Sequence, residues 1–318
     1  MPTRAVVPPA NFPGNADRRW VGGGRGQANG PMMPTAAKAL VLSPDAGAMT
    51  AEVLDKLRRE FSDHLIIEFD ATGEFLPRVA EDAVVVVAGG DGTLGFVARA
   101  LIGTQHPLGV LGLGTFNNFA RALGIPEDID AAIDVVKSCR PRPVTIGRVN
   151  GRPFLEAAAL GIFGEAIELG QSLKDLRFGE LGEHLIRLVS ARPFRYRITG
   201  DLDGEGTALS LVFANTPSTG AHMPIGEGPL TDPFLELSIH VGESRRDLVT
   251  RLATSAVLHR HQERGTTERF RRLRIETAPA EPVLATEHQV TIYGDDRELG
   301  RTPATIEADL GGLNVIMP

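Results

Sequence analysis

The sequence predicts a doubly wound α/β domain over residues 36–143 and a mostly antiparallel, β-rich second domain over 144–318. Three observations lead there. Strand and helix patterns alternate from Ala36 to about residue 140. The run VVVVA (Val84–Ala88) is continuously apolar and β-branched, as in a strand buried on both faces of a parallel sheet. Beyond Pro141 the chain breaks into short alternating runs interrupted by Gly and Pro, the texture of antiparallel hairpins.

Each element has its own justification. Residues 1–35 are rich in Gly, Pro and Asn and show no period, so they are expected to be a disordered extension or an over-long start of the reading frame. No apolar stretch follows Arg18 and Arg19, which argues against an export signal. AKALVLS is a short apolar strand and PDAGAM a turn. TAEVLDKLRREFS is a helix with Val53, Leu54, Leu57 and Phe61 on one face and Thr50 as N-cap. HLIIEFD, VVVVA and PLGVLGLG are strands; Leu94–Leu101, TFNNFARALG and DIDAAIDVVKSC are helices, with Pro126 between the last two. In the second domain, VNGRP and DLDGEG read as hairpin turns, and ELGEHLIRLVSA and SRRDLVTRLATSAVLHRHQ as helices. The C-terminal segment is allowed a return to the first domain.

Composition narrows the function classes. Hydrophobic residues make up 42% and charged residues 23%, a globular balance. The net charge of −7 argues against wholesale nucleic-acid binding. No apolar run approaches the ~18 residues needed to span a bilayer. The single cysteine, Cys139, excludes an internal disulfide, and without a neighbouring His it reads as a small packed residue.

Two glycine corners carry the chemistry. In VVVVAGGDGTLGFVARAL a buried strand stops on Gly89, Gly90, Asp91, Gly92 and Thr93, and a helix starts at once. Main-chain N–H groups in such a turn can point at an anion, and the helix dipole favours it. Taken alone, the stretch fits a phosphate cradle and a plain tight turn alike. LGLGTFNNFARALGIP repeats the design, with Gly112, Gly114, Thr115 and Asn117 between strand and helix. Loops at the carboxyl ends of parallel strands converge on one crevice. Gly90 and Gly114 are therefore expected side by side, gripping one polyphosphate through main-chain N–H groups. There is no Lys-Ser/Thr after the glycines, so this is not the common nucleotide-triphosphatase loop.

GGDGT together with PLGVLGLGTFNNFARALGIP resembles the diacylglycerol kinase catalytic family of bacterial lipid kinases, relatives of the NAD kinases. In order along residues 37–318, SPDAG, GRVNGRPFLEAAALG, FANTPSTGA, PLTDPFLEL and GDDRELGRTPATIEADLGGLNVIMP resemble it too. The resemblance implies a nucleotide-binding α/β domain, a β-rich lipid-side domain and ATP in the cleft between them. It implies that Ser43, Gly89, Gly90, Asp91, Gly92, Thr93, Gly114, Thr115 and Asn117 line the nucleotide. It assigns Asp91 and Asp232 to Mg2+, Asp296 to take the hydroxyl proton, and Glu298 to support that residue. The implied partner is a membrane lipid alcohol reached from the cytoplasm by peripheral association, with no nucleic acid and with a homodimer left open.

The departures are part of the reading. Ser43 stands where the family usually has Asn, and Gly112 where it usually has Pro. Asn118 and Thr145 stand where carboxylates are common and would join Asp91 in a metal network. Pro233 and Arg297 replace glycines, and Arg297 is expected either to meet phosphate or to block the turn that aims Asp296. The alternatives are a nucleotide- or lipid-binding protein with weak or no catalysis, and a soluble small-molecule kinase. HRHQERGTTERFRRLR fits anionic headgroups or a solvated helix end running into an amphipathic strand.

Overall fold

The computed structural model describes residues 36–70, 76–165, 193–219, 223–241, 267–280, 289–295 and 297–318. The expectations for residues 1–35, for the helices at 180–191 and 244–262 and for Asp296 lie outside them.

The α/β part runs β1 (Ala36–Leu42), α1 (Ala51–Glu60), β2 (Leu65–Glu68), β3 (Val79–Gly89), α2 (Asp91–Leu101), β4 (Pro107–Gly112), α3 (Asn118–Ala122) and α4 (Ile129–Ser138). Its strands are parallel in the order β2-β1-β3-β4. Local chemistry explains the helix starts. The Thr50 hydroxyl accepts the Val53 N–H at 3.2 Å, and the Asp128 carboxylate accepts the Ala131 N–H at 2.9 Å. α3 is shorter than TFNNFARALG suggests because Asn117 is left-handed, φ 51°, and the helix begins only after it.

The chain continues through β5 (Pro141–Val149), β6 (Arg152–Phe154), β7 (Ala157–Gly161), β8 (Phe194–Gly200), β9 (Gly204–Ala208), β10 (Ser210–Ala214), β11 (Ser218–Thr219) and β12 (Met223–Pro224). It ends with β13 (Leu235–His240), β14 (Thr267–Phe270), β15 (Arg272–Pro279), β16 (Thr291–Gly294), β17 (Arg297–Arg301) and β18 (Ala304–Ile316). The β5–β6 turn is the expected Asn-Gly hairpin, with φ of 48° at Asn150 and 82° at Gly151.

β18 unites the parallel and antiparallel parts. Asn314 and Val315 lie parallel to β4, Ala304–Glu307 lie antiparallel to β15, and the strand also pairs with β5. The first sheet is therefore mixed, running β2-β1-β3-β4-β18-β15-β8-β9, and β5 with β6 branches from β18. A second sheet, β14-β13-β10-β7-β16-β17, is antiparallel throughout. One apolar cluster, with Phe154, Phe194 and Ile275 from the first sheet and Phe213, Phe270 and Ile292 from the second, packs the two together. A second cluster lies around β1, β3, β4 and their helices.

Candidate active site

β1, β3 and β4 are parallel neighbours, so their carboxyl ends deliver three loops to one edge of the sheet. Main-chain hydrogen bonds fasten these loops together: Ser43 N donates to Ala88 O at 2.9 Å, Leu113 N to Gly89 O at 2.8 Å, and Ala48 N to Leu113 O at 2.9 Å. The corners of β3 and β4 touch through main chain alone. A Cβ added at Gly114 would stand 2.5 Å from the Gly90 Cα, and one at Gly90 would stand 3.1 Å from the Gly114 Cα. Only glycine allows that approach.

Around this contact the expected residues divide by role. Gly89 is walled in, since a Cβ there would meet Thr93 Cβ at 2.9 Å and Ser43 Cβ at 3.2 Å. Thr93 is buried against the end of β3. Gly92 is the opposite case: a Cβ there would meet nothing within 4 Å, so the first turn of α2 faces open space. The N-cap is Gly90, and no side chain caps the helix. The first-turn N–H groups and the positive dipole end are thus presented beside the half-buried Asp91. Thr115 is exposed beside Gly47, whose added Cβ would lie 3.6 Å from its hydroxyl oxygen.

Asn117 corrects part of the expectation. Its Oδ1 accepts the Gly114 N–H at 2.8 Å and its Nδ2 donates to Gly114 O at 3.0 Å. The amide therefore folds the corner, and the Gly114 N–H it takes up points inward to the loop. At the other corner, the start of α2 has no side-chain cap.

The positions where the family's carboxylates were expected are satisfied internally. Asn118 is buried, and its Oδ1 accepts the Ser218 hydroxyl at 3.2 Å. Thr145 is fully buried; its N–H donates to Leu230 O at 2.7 Å and its hydroxyl to Asp232 O at 2.5 Å. The buried Asn215 donates through Nδ2 to Thr145 O at 2.9 Å and Leu155 O at 2.8 Å, joining β5 to the approach to β7. Asp232 Oδ2 faces Arg269 Nη1 at 3.2 Å. Its surroundings do not fit a bound metal, because the nearest charge is a guanidinium and its carbonyl is occupied. Among the described residues no cluster of His, Cys, Asp and Glu could hold a metal ion.

At the β16–β17 turn, Asp295 has φ 54° and binds main chain. Its Oδ2 accepts the Leu155 N–H at 2.8 Å and its Oδ1 the Glu156 N–H at 2.9 Å. Arg297, expected either to meet phosphate or to block this turn, donates through Nη2 to Pro153 O at 2.8 Å. Glu298 is exposed and meets Arg301 Nε at 3.3 Å. The residues that sequence reasoning missed are Arg99, Asn215, Glu236, Arg269 and Asp295. Asp295 stood beside the proposed base, and its acidic side chain in a tight turn was the one available signal.

Residues 39–149 match the model of the diacylglycerol kinase catalytic domain. Through this segment the chain is similar to the diacylglycerol kinase catalytic-domain family. It is 35% identical over 167 residues to the Klebsiella pneumoniae protein named Probable lipid kinase YegS-like, covering 50% of this chain and 56% of that one. It is 34% identical over 189 residues to the Bacillus subtilis diacylglycerol kinase, covering 56% and 61%. The chain thus spans less than two thirds of the length of the curated relatives it matches. The crystal structure of a diacylglycerol kinase from Bacillus anthracis shares the fold, with TM-score 0.63, 22% identity and coverage of 88% and 96%. An NAD kinase from Archaeoglobus fulgidus, in complex with ATP, has TM-score 0.50 at 13% identity, covering 88% and 93%. The fold is that of diacylglycerol kinases and NAD kinases, and both glycine corners fall inside the matched catalytic-domain segment.

Proposed function

We propose that this protein is an ATP-dependent kinase that phosphorylates the hydroxyl of a membrane lipid such as diacylglycerol or a related lipid alcohol. The main-chain contact between Gly90 and Gly114, beside a helix start that no side chain caps, carries the reading. It presents the first turn and positive end of α2 beside a position, Gly92, where nothing lies within 4 Å of an added Cβ, which suits a polyphosphate. Ser43 and Thr115 border the contact with hydroxyl groups, and Asp91 stands beside it. The carboxylate of Asp91 suits a magnesium ion carried in with the nucleotide, and the ion's chemistry would be to screen phosphate charge.

The chain's own residues would then do three things. The α2 amides hold the phosphates still. Asp296, which follows Asp295 in the sequence, supplies the base. Asp296 takes the proton of the attacking lipid hydroxyl as its oxygen bonds to the γ-phosphorus, and the bond from that phosphorus to the β–γ bridging oxygen breaks to release ADP. Peripheral contact with the bilayer supplies the acceptor.

The test is radiolabelled ATP with a mixed lipid extract. A labelled lipid is expected, and Asp296→Asn should remove at least ~100-fold of the rate, the scale of a lost general base. ATP uptake by calorimetry with no transfer to any lipid would instead establish the binding-only reading. The exposed Glu298, paired with Arg301, is the observation that favours that second reading.

A further inference from the structure

The loop from Ile225 to Pro233 ties the two cores, since Leu230 is buried in the α/β cluster and Leu235, just beyond it, in the inter-sheet cluster. Two carboxylates stand at this loop. Glu236 is 5% exposed and wedged between Gly226 and Gly228, where an added Cβ would lie 3.0 Å from its Oε2 and its Oε1 respectively. Its Oε2 accepts the Glu227 N–H at 2.7 Å and its Oε1 faces Arg269 Nε at 3.4 Å. Asp232 Oδ2 faces the same guanidinium at 3.2 Å. The main-chain carbonyls of Leu230 and Asp232 accept the N–H and the hydroxyl of Thr145.

We propose that Arg269 is the built-in cation of the Asp232–Glu236 pair, closing this loop where the family resemblance implied a metal at Asp232. Mg2+ demands near-octahedral oxygen ligation, and Ca2+ takes six to eight oxygens. Here Asp232 Oδ2 and Glu236 Oε1 face a guanidinium, Glu236 Oε2 a main-chain N–H, and the carbonyls face Thr145. The neutral residues agree with this. Thr145 donates two hydrogen bonds inward, and Asn118 accepts one from Ser218. A carboxylate at 145 would keep the main-chain bond to Leu230 but lose the other, because it has no proton to give to the Asp232 carbonyl. A guanidinium keeps its charge at every accessible pH and cannot be removed by a chelator. The tie between the cores is therefore independent of divalent ions. This goes beyond the kinase reading and does not depend on it, because the nucleotide's own magnesium is a separate matter.

The experiment uses the full chain without nucleotide. Its melting temperature is expected to agree within about 1 °C in EDTA and in millimolar Mg2+ or Ca2+, and added Mn2+ should keep its full free-ion EPR signal. R269Q should lower the melting temperature by on the order of 5 °C. R269K, which keeps the charge and loses the fork, should fall between. D232N should add less to R269Q than it costs alone, because the two share one interaction. Chelation that lowers the wild-type melting temperature, with recovery on Mg2+, would overturn the proposal. So would stoichiometric Mn2+ uptake lost in D232N, or an R269Q protein as stable as wild type. If R269Q does not fold, R269K and the wild-type metal titrations still decide.

Discussion

Arg99 and Asp295 face each other at 3.9 Å across the gap between the helix that follows the first glycine corner and the turn that precedes Asp296. Both side chains are largely buried, 16% and 11% exposed, so the pairing is shielded from solvent. Arg99 folds back along α2, its guanidinium 3.0 Å from where a Cβ on Gly95 would stand. Asp295 also accepts the Leu155 and Glu156 N–H groups, so one carboxylate fixes three elements against each other. Asp295→Ala leaves those two main-chain donors without their acceptor, at about 1–3 kcal/mol each. The expected outcome is a lower melting temperature and a kcat reduced at least tenfold, with KM for ATP nearly unchanged. Steady-state kinetics beside a thermal melt check it, and a KM effect larger than the kcat effect would refute the positioning role.

The two glycine corners separate stability from binding. Gly114→Ala puts a Cβ 2.5 Å from the Gly90 Cα, main chain against main chain, so the corners must part. Both the melting temperature and ATP affinity should fall, the latter about tenfold, or 1.4 kcal/mol. Gly92→Ala meets nothing within 4 Å and sits in a helical turn. It should hold or raise stability by about 0.5–1 kcal/mol while still weakening ATP, because its methyl enters the space a phosphate would fill. Calorimetry on both variants tests this. Equal ATP binding by Gly92→Ala and wild type would move the phosphates elsewhere.

Local rules made much of this fold legible. Thr50 caps α1 as its sequence position suggests, and Asn150-Gly151 makes the hairpin that its residue types favour. The glycine corners announced themselves because a strand, a run of small residues and a helix follow in a few residues. What stayed hidden depends on pairing across the chain. β18 enters between β4 and β15, a placement that no local period encodes. Asp295 works on an N–H 140 residues away, and Arg269 on a carboxylate 37 residues away. Their residue types alone suggested surface charge. The basic stretch around them illustrates the limit: Arg272 meets Glu307 at 3.1 Å, Arg274 meets Glu276 at 3.2 Å, and Arg271 lies over the Phe234 ring at 4.8 Å.

Asn117 is expected to act on the corner's shape. Its left-handed backbone suits Asn and Gly, and its amide closes a ring with Gly114. Asn117→Gly keeps the backbone and loses the ring, whereas Asn117→Ala loses both. Stability should therefore fall in the order wild type, Gly variant, Ala variant, spanning about 1–3 kcal/mol. Chemical denaturation measures the order. An Ala variant as stable as the Gly variant would mean that the left-handed turn relaxes freely.

Acid sensitivity should trace to the corner formed by Phe61, Asp63 and His64, far in sequence from the glycine loops. His64 lies edge-on to Phe61 at 4.9 Å and its Nδ1 meets Asp63 Oδ1 at 2.7 Å. Burial pushes the imidazole pKa below its ordinary 6.5, more strongly than Asp63 pulls it up. The unfolded chain therefore binds the proton first, so the stabilisation is complete above 6.5 and drains as pH falls through the lower folded value. The Asp63 carboxyl, held at about 2 chiefly by its hydrogen bond from Lys38 and then by His64, contributes above its ordinary 3.8 and is lost toward 2. Wild-type melting temperature should thus begin to decline as pH falls below about 6.5, and His64→Gln should flatten that decline while leaving the loss below about pH 4. NMR titration of the His64 ring gives the direct check. A ring pKa above 6.5, or an undiminished decline in His64→Gln, would assign the acid sensitivity to another group.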